Sequence, residues 1–238
     1  MIELRDFTAG YGQRILLRDI NSLFSKGTLT ALVGRNGTGK STLLRAIAGL
    51  NRHYSGEIIL DGTDLRSTGA GECARRLAVV TTGRIRVSNL TASEVAAIGR
   101  APYTGWAGSL TDTDRQAVSK ALQATGMAHY AGRTLDTMSD GESQRVMIAR
   151  ALAQDTPNLL LDEPTSFLDI PNRHGIAALL QRLAREDGKC IIFSTHELDV
   201  ALRYADTIAL LNGTTLSCLP AGEPTIRERL RATFGAVI

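Results

Sequence analysis

Nine consecutive residues have the types and spacing of a phosphate-binding loop. They are Gly34, Arg35, Asn36, Gly37, Thr38, Gly39, Lys40, Ser41 and Thr42, which fit the pattern G-x-x-x-x-G-K-[ST] at every fixed position. Glycines at these positions let backbone N–H groups face a polyphosphate at the positive end of a helix. We expect Lys40 to hold the outer phosphates and Ser41 to bind Mg²⁺. Alone, the loop indicates only a nucleoside triphosphate.

Two carboxylates and one histidine are candidates for the chemistry on that phosphate. Asp162 and Glu163 follow the apolar run 159–161, and α/β sheets carry their active residues at such strand ends. His196 follows a second buried run, 190–193, and a parallel sheet would bring it to the phosphate site. Taken singly, the acids could cap a turn and the histidine could be structural.

An aromatic residue upstream of the loop is a candidate for binding a base. Tyr11 lies between Gly10 and Gly12, a setting that would expose its ring for stacking on a purine. The alternative is a half-buried packing residue.

The flanking segments predict the elements that position these residues. The apolar run 28–33 predicts a buried strand before the phosphate loop, and helical spacing follows it from Leu43. Short strands and turns are indicated over 2–33, with further strands over 56–62 and 77–80. No repeat or long linker is apparent in the sequence.

The middle and the end of the chain have a different pattern. Helical windows run from about 91 to 155, with a helix over 112–125 and another from Ser139 to about 154. A further helix is indicated around 176–184, a strand over 208–211 and a last helix after Thr225. Thr91, Ser139 and Thr225 each begin a capping-box sequence. We interpret the middle part as a helical insertion in an α/β core.

Composition narrows the class of protein. The chain has 238 residues, 43% of them hydrophobic, which is enough for one large core with an inserted subdomain. Its net charge is +3, and its Lys and Arg residues are interspersed with acidic residues. Nucleic-acid binding is therefore not expected. The three cysteines are far apart, which argues against a disulfide framework or a zinc site. Neither a signal peptide nor a membrane span is predicted, so any membrane contact would come from a partner.

The ordered set of motifs resembles the nucleotide-binding subunit of ATP-binding-cassette (ABC) transporters. The motifs are the phosphate loop, Ser139 to Arg145, Leu160 to Thr165, Leu168-Asp169 and His196. The resemblance covers the whole chain and implies a P-loop NTPase (RecA-like) core with an antiparallel β-subdomain and an inserted α-helical subdomain. It implies one domain, 1–238, with the core and β-subdomain at about 1–84 and 156–238 and the helical subdomain at about 85–155.

The resemblance also implies roles for the site residues. Asp162 would hold Mg²⁺ through water together with Ser41, Glu163 would be the general base, and His196 would contact the γ-phosphate. ATP binding would close two copies of the chain head to tail, and hydrolysis would reopen them. The signature stretch Ser139, Asp140, Gly141 and Glu142 would complete the ATP site of the opposite subunit, with Asp169 near the interface.

Two stretches depart from the commonest form of the family. Met138, Asp140 and Glu142 replace Leu, Gly and Gln, and two acids beside a triphosphate should weaken its binding unless they point away, as we expect. The Gln that usually follows the strand over 77–80 is replaced by Thr81-Thr82. Thr82 would reach the metal through water.

Further segments resemble one branch of the family. Residues 90–94, 99–104 and 166–171 are similar to importers of ferric siderophores, haem and cobalamin. That resemblance implies a homodimer at the cytoplasmic face of the plasma membrane, bound peripherally to permease subunits and indirectly served by a solute-binding protein. Residues 84–106 would form the permease groove, although Tyr103 and Trp106 could equally pack inside the helical part.

Other functions remain open at this stage. The nearest is an importer for another solute. A soluble ABC protein acting on ribosomes or DNA usually has two cassettes or a long coiled-coil insertion, and neither is present. A P-loop kinase or GTPase would leave Ser139 to Arg145 and His196 unexplained, and a guanine-specific N-K-x-D stretch is missing.

Overall fold

The computed structural model describes residues 1–12, 14–82, 89–105 and 108–235, apart from the side chain of Tyr11. The strands in this part of the chain are β1 Ile2–Tyr11, β2 Arg14–Phe24, β3 Leu29–Gly34, β4 Tyr54–Leu60, β5 Thr63–Asp64, β6 Leu77–Val80, β7 Asn158–Leu161, β8 Cys190–Ser194, β9 Thr207–Asn212 and β10 Thr215–Pro220. The α-helices are α1 Lys40–Ile47, α2 Ala70–Arg76, α3 Ala92–Ile98, α4 Asp112–Ala124, α5 Asp140–Ala153, α6 Ile170–Glu186, α7 Leu198–Tyr204 and α8 Ile226–Phe234. Single 3₁₀ turns occupy Leu65–Ser67, Ala128–Tyr130 and Leu135–Thr137.

A six-stranded sheet in the order β10-β9-β3-β8-β7-β6 forms the centre of the molecule. β9, β3, β8, β7 and β6 are parallel, and β10 pairs with β9 in the antiparallel sense. Leu161 of β7 is paired with Phe193 of β8, so Asp162 and Ser194 follow side by side. The predicted parallel core is confirmed, and its register brings the carboxylates to the strand that precedes His196.

Both faces of this sheet are covered, which explains why its strands read as continuous apolar runs. On β8, Ile191 and Phe193 face a core that includes helices α3 to α8. Ile192 faces the opposite core, together with Leu43 of α1 and residues of the smaller sheet. Successive side chains therefore alternate between two cores, as a strand requires.

The smaller sheet is antiparallel, in the order β2-β1-β4-β5. Its buried face supplies Phe7, Leu17 and Ile58 to the core that it shares with α1. The strands predicted before residue 33 and over 56–62 are thus confirmed. No helix in the described residues is long and apolar enough to span a membrane.

The helices between residues 91 and 155 have their own tertiary contacts. Arg100 and Asp114 are buried, and the Arg100 Nε donates to Asp114 Oδ1 at 2.8 Å. The Arg100 Nη1 also donates to the carbonyl of Ala153, which ties α5 to this pair. The predicted helices and the capping boxes at Thr91 and Ser139 are confirmed. The subdomain boundaries at 85 and 155 stay a prediction.

Several local predictions are wrong or incomplete. Thr225 forms no side-chain cap, because its φ and ψ of −81° and −8° are helical rather than extended. α6 begins at Ile170, six residues before the predicted stretch, because Asp169 caps it and Pro171 suits its first turn. The short helix α2 and the strand β10 were not predicted.

Candidate functional site

The phosphate loop connects the end of β3 to the start of α1. Gly37 and Gly39 have φ of +77° and +104°, in the left-handed range that favours glycine. A Cβ on Gly34 would lie 2.8 Å from the Thr38 hydroxyl and 2.9 Å from Leu211 Cβ. The three glycines of the loop, of which Gly34 and Gly39 are fixed by the pattern, are therefore required by backbone shape or by space, independently of any ligand.

Lys40 lies inside this loop and has only 6% of its surface exposed. Its ammonium group donates to the carbonyls of Gly34 at 2.8 Å and Arg35 at 3.3 Å. Burial lowers the pKa of Lys40, while the nearby carboxylates of Glu163 and Asp162 act to raise it. The charge at the loop is thus paired with acceptors that a phosphate could replace.

Ser41 and Asp162 come together at the first turn of α1. The Ser41 hydroxyl donates to Asp162 Oδ1 at 3.2 Å, and the Thr82 hydroxyl donates to the Asp162 carbonyl at 2.9 Å. Hydroxyl and carboxylate oxygens suit Mg²⁺, which keeps several waters and takes further ligands from phosphates. The described residues contain no cluster of three or more His, Cys, Asp or Glu side chains that could hold a metal alone. A Mg²⁺ ion shared with a bound triphosphate fits this donor set.

Glu163 and His196 face each other at the same edge. Glu163 Oε1 lies 3.9 Å from His196 Nδ1, and Glu163 Oε2 accepts a hydrogen bond from the Ser166 hydroxyl at 2.9 Å. About half of the His196 side chain is exposed, so a ligand can reach it. Glu163 has a φ of +49°, an uncommon backbone conformation for a residue with a side chain. The carboxylate is thus aimed by a constrained turn.

Sequence reasoning missed the contribution of Ser194. Its hydroxyl donates to Asp162 Oδ1 at 2.7 Å and accepts from the Glu163 N–H at 2.8 Å. Its place beside the acids followed from the predicted parallel strands, but a serine hydroxyl has no sequence signature. The register of β7 against β8 would have indicated that the Ser194 hydroxyl lies next to Asp162.

The signature stretch begins α5. Glu142 Oε2 accepts hydrogen bonds from the Ser139 N–H at 2.8 Å and from the Ser139 hydroxyl at 3.0 Å. These hydrogen bonds, the backbone one first, lower the pKa of Glu142, and Arg133 lies 3.6 Å from its other oxygen. Glu142 therefore bends back along its own helix turn, while Asp140 is exposed beside it.

The start of α6 lies against this stretch. A Cβ on Gly141 would come within 2.7 Å of the Asn172 side chain. Asp169 Oδ1 accepts from the Asn172 N–H at 3.0 Å, so Asp169 caps the same helix. Phe167 and Ile170, on either side of Asp169, are 69% and 67% exposed. Two exposed large apolar side chains at one helix start make this surface a candidate for contact with another molecule.

Tyr11 ends β1 upstream of the phosphate loop. Its side chain lies outside the described residues, so its stacking on adenine stays a prediction. Trp106 and residues 84–88 of the expected permease groove also lie outside them.

The sequence and the fold have close relatives. The family model described as "ABC transporter" matches residues 17–166. The iron(3+)-hydroxamate import ATP-binding protein FhuC of Bacillus subtilis is 40% identical over 226 residues, which are 94% of this chain and 84% of that protein.

Two solved structures extend this likeness to three dimensions. One, assigned as a metal-chelate type ABC transporter in an inward-facing conformation, has a TM-score of 0.86 and 26% identity, over 98% of this chain and 88% of that one. The other is the dimeric ATP-binding cassette MJ0796 bound to ADP and Pi in a post-hydrolysis state. It has a TM-score of 0.77 and 27% identity, over 93% of this chain and 99% of that one. The chain belongs to the ABC transporter family, as one of its ATP-binding and ATP-hydrolysing subunits.

Proposed function

We propose that this chain powers the import of a ferric siderophore, haem or cobalamin through a membrane permease. The name of the Bacillus subtilis relative, which refers to import of iron(3+)-hydroxamate, supports this substrate class. The structural neighbour assigned to the metal-chelate type supports it independently of that sequence match. Import of another solute is the nearest alternative.

The observation that carries the ATPase role is the convergence of four side chains at one sheet edge. Ser41 and Asp162 are joined by a 3.2 Å hydrogen bond, and Glu163 lies 3.9 Å from His196. Ser41 and Asp162 would hold Mg²⁺, which offsets phosphate charge when it is bound. Glu163 accepts a proton from the attacking water, His196 contacts the γ-phosphate, and Lys40 stabilises the transferring charge. Thr82, bonded to the Asp162 carbonyl, is near enough to reach the metal through water.

Two copies of the chain form the working unit. The signature stretch 139–142 of one copy completes the ATP site on the phosphate loop of the other copy. The start of α5 offers N–H donors and a favourable dipole there. Asp169 lies at the same interface, and the exposed Phe167 and Ile170 beside it supply apolar contact area. The dimeric neighbour bound to ADP and Pi supports this arrangement.

The permease binds near the segment 84–106. Leu50, Ile98 and Tyr103 are 68%, 50% and 40% exposed, and exposed large apolar side chains are candidates for contact with a partner. A small cavity lined by Leu50, Val79, Thr82 and Asp162 connects this surface to the metal-binding carboxylate. The chain then acts at the cytoplasmic face of the membrane, and a solute-binding protein delivers the cargo to the permease.

A complementation experiment tests the proposal. A host strain that lacks this chain receives either the wild type or the Glu163→Gln variant, and uptake is measured for a ferric hydroxamate, a ferric catecholate, haem and cobalamin. We expect one chelate class to enter only with the wild type. Equal uptake of all four with and without the chain would contradict the chelate assignment. Co-purification of the tagged chain with a many-helix membrane protein would then separate another importer from a soluble ABC protein.

A further inference from the structure

We propose that Ser194 is a positioning residue for ATP hydrolysis, which holds Asp162 and Glu163 in their working geometry. This inference rests on the roles proposed above for those two acids. Ser194 ends β8 and has no exposed surface. Its hydroxyl donates to Asp162 Oδ1 at 2.7 Å and accepts from the Glu163 N–H at 2.8 Å. One side chain thus contacts both consecutive acids from the neighbouring strand.

The direction of these two hydrogen bonds follows from the chemistry of a hydroxyl group. A serine Oγ has one hydrogen to donate and lone pairs with which to accept. A backbone N–H can only donate and an ionised carboxylate can only accept. The Ser194 hydroxyl therefore links the Glu163 N–H to the Asp162 carboxylate through two consecutive hydrogen bonds, each of which polarises the other. Hydrogen bonds to a carboxylate are shorter and stronger than neutral ones, in agreement with the 2.7 Å distance.

The hydrogen bond from Ser194 to Asp162 orients a carboxylate of the proposed metal site. Asp162 Oδ1 accepts from both Ser194 and Ser41, the serine expected to bind Mg²⁺. A carboxylate held by two hydroxyls loses its freedom to rotate, and preorganised ligands bind with a smaller loss of conformational entropy. Without Ser194, the Ser41 hydroxyl would be the remaining hydrogen-bond donor to this carboxylate among the described residues, and Ser41 must also turn toward the metal. We therefore expect weaker Mg²⁺ binding.

The hydrogen bond from the Glu163 N–H to Ser194 fixes the backbone of the proposed general base. Glu163 has a φ of +49°, and residues with side chains remain in this conformation only when their surroundings hold them there. The Ser194 Oγ satisfies the Glu163 N–H at the entry of this turn, and the Ser166 N–H donates to the Glu163 carbonyl at 3.2 Å. Loss of the hydroxyl would leave the N–H without its partner and let the turn change shape. The Glu163 carboxylate would then move away from the water that it activates.

The test replaces Ser194 and compares it with another buried hydroxyl, at the opposite end of the neighbouring strand β7. Ser194→Ala removes both hydrogen bonds, and Ser194→Thr keeps the hydroxyl. Thr156→Val is the matched control, because Thr156 is buried before the other end of β7 and its hydroxyl donates to the Asn158 carbonyl at 2.8 Å. Thermal melting of each variant checks that it is folded.

Two readouts separate positioning from a merely structural role. In the Glu163→Gln background, which removes turnover, the affinity for ATP is titrated calorimetrically against MgCl₂. We expect Ser194→Ala to raise the half-saturating Mg²⁺ concentration about fivefold, the effect of one ordinary buried hydrogen bond, and to leave metal-free ATP binding unchanged. In the otherwise wild-type chain we expect kcat to fall about tenfold with little change in KM. Ser194→Thr should recover most of both losses.

Each outcome decides the question. If Ser194→Ala and Thr156→Val behave alike in both the Mg²⁺ titration and the kinetic measurement, Ser194 is only part of the packed sheet and the proposal is wrong. A wild-type chain that hydrolyses ATP but supports no chelate uptake would remove the proposed cargo and leave the Ser194 test intact. Chelate uptake that is undiminished by Ser194→Ala at limiting Mg²⁺ would remove the role of Ser194 and leave the cargo.

Discussion

The phosphate loop and the signature stretch, which we propose as the two halves of an ATP site, are held in opposite ways. On the phosphate side, Lys40 and Ser194 are buried, and hydrogen bonds to Asp162 come from α1 and β8. On the signature side, Ser139 is exposed, and the hydroxyl and the Glu142 carboxylate bond each other within one helix turn. The geometry of the first half depends on a sheet formed by segments that are distant in sequence. The geometry of the second half depends on hydrogen bonds within four consecutive residues.

The difference shows what each half needs before it can work. Neighbouring strands already bring together the groups that we propose to contact phosphate and metal, so the phosphate side is organised within one chain. The Ser139 hydroxyl, in contrast, already donates to Glu142. Since it has one hydrogen, it must leave Glu142 to donate to an ATP on a second copy. Charge and hydrogen bonding at Glu142 should therefore modulate the second half without affecting the first.

The largest expected effect comes from the proposed base on the phosphate side. Glu163→Gln keeps the size of the side chain but cannot take a proton, so we expect kcat to fall by roughly 10²- to 10⁴-fold. ATP affinity should stay within about twofold, and the unhydrolysed nucleotide should trap a dimer visible by light scattering. Glu186→Gln at the exposed end of α6 is the control. Undiminished hydrolysis by Glu163→Gln would remove Glu163 from this role.

The second prediction is that destabilising the helices between residues 91 and 155 leaves ATP binding at the phosphate loop unchanged. Arg100 ties α4 to α5 through Asp114 and the Ala153 carbonyl, so Arg100→Met leaves a buried carboxylate without its cation. We expect the Tm to fall by roughly 5–10 °C at neutral pH. Binding of ATP to the phosphate loop, measured by calorimetry well below the Tm, should not change. A parallel loss of ATP affinity would show that the phosphate side depends on these helices.

Acid provides an internal control for this variant. Hydrogen bonds from Thr111, and then from Arg100, lower the pKa of Asp114 to about 2 from its ordinary 3.8. A lowered pKa stabilises the fold fully above about pH 4, and this stabilisation is lost as the pH falls toward 2. The difference in urea midpoint between wild type and Arg100→Met should accordingly shrink over this interval. A constant difference would place the effect in packing rather than in the ion pair.

The same contrast explains how far the sequence could predict the structure. The strand, loop and helix order around residues 34–42 and the capping boxes at Thr91 and Ser139 were predicted correctly, because each is a local sequence pattern. Thr225 shows the limit of such patterns, because the backbone around it is already helical and its hydroxyl cannot cap. The role of Ser194 depends on a pairing across more than 30 residues of chain, which no local pattern contains.

A smaller effect is expected at the base of the nucleotide. Tyr11→Ala should weaken ATP binding by about 1 kcal/mol, roughly fivefold, if the ring stacks on adenine. Tyr11→Phe is the matched control, because it keeps the aromatic face. A fluorescent ATP analogue reports both affinities. Unchanged ATP affinity in Tyr11→Ala would show that Tyr11 is an ordinary packing residue. It would then contribute nothing to nucleotide binding on the phosphate side.

The smallest effect should come from the signature side. Glu142 is ionised at neutral pH, since its hydrogen bonds to Ser139 lower its pKa. Glu142→Gln removes a negative charge near the triphosphate of the second copy and weakens the competitor for the Ser139 hydroxyl. Exposed charges are screened, so we expect the KM for ATP to fall only about two- to threefold at low ionic strength. In high salt the difference should nearly disappear.

A matched variant separates this effect from helix capping. Glu94 forms the same capping box with Thr91 at the start of α3, where no ATP is expected. Glu94→Gln should destabilise the start of α3 about as much as Glu142→Gln destabilises the start of α5, but it should leave KM unchanged. If both variants changed KM equally, the effect would come from stability of the helical region and not from charge at the site. A response limited to Glu142→Gln would indicate that the exposed half of the site, already satisfied within its own chain, is the half whose chemistry tunes closure of the pair.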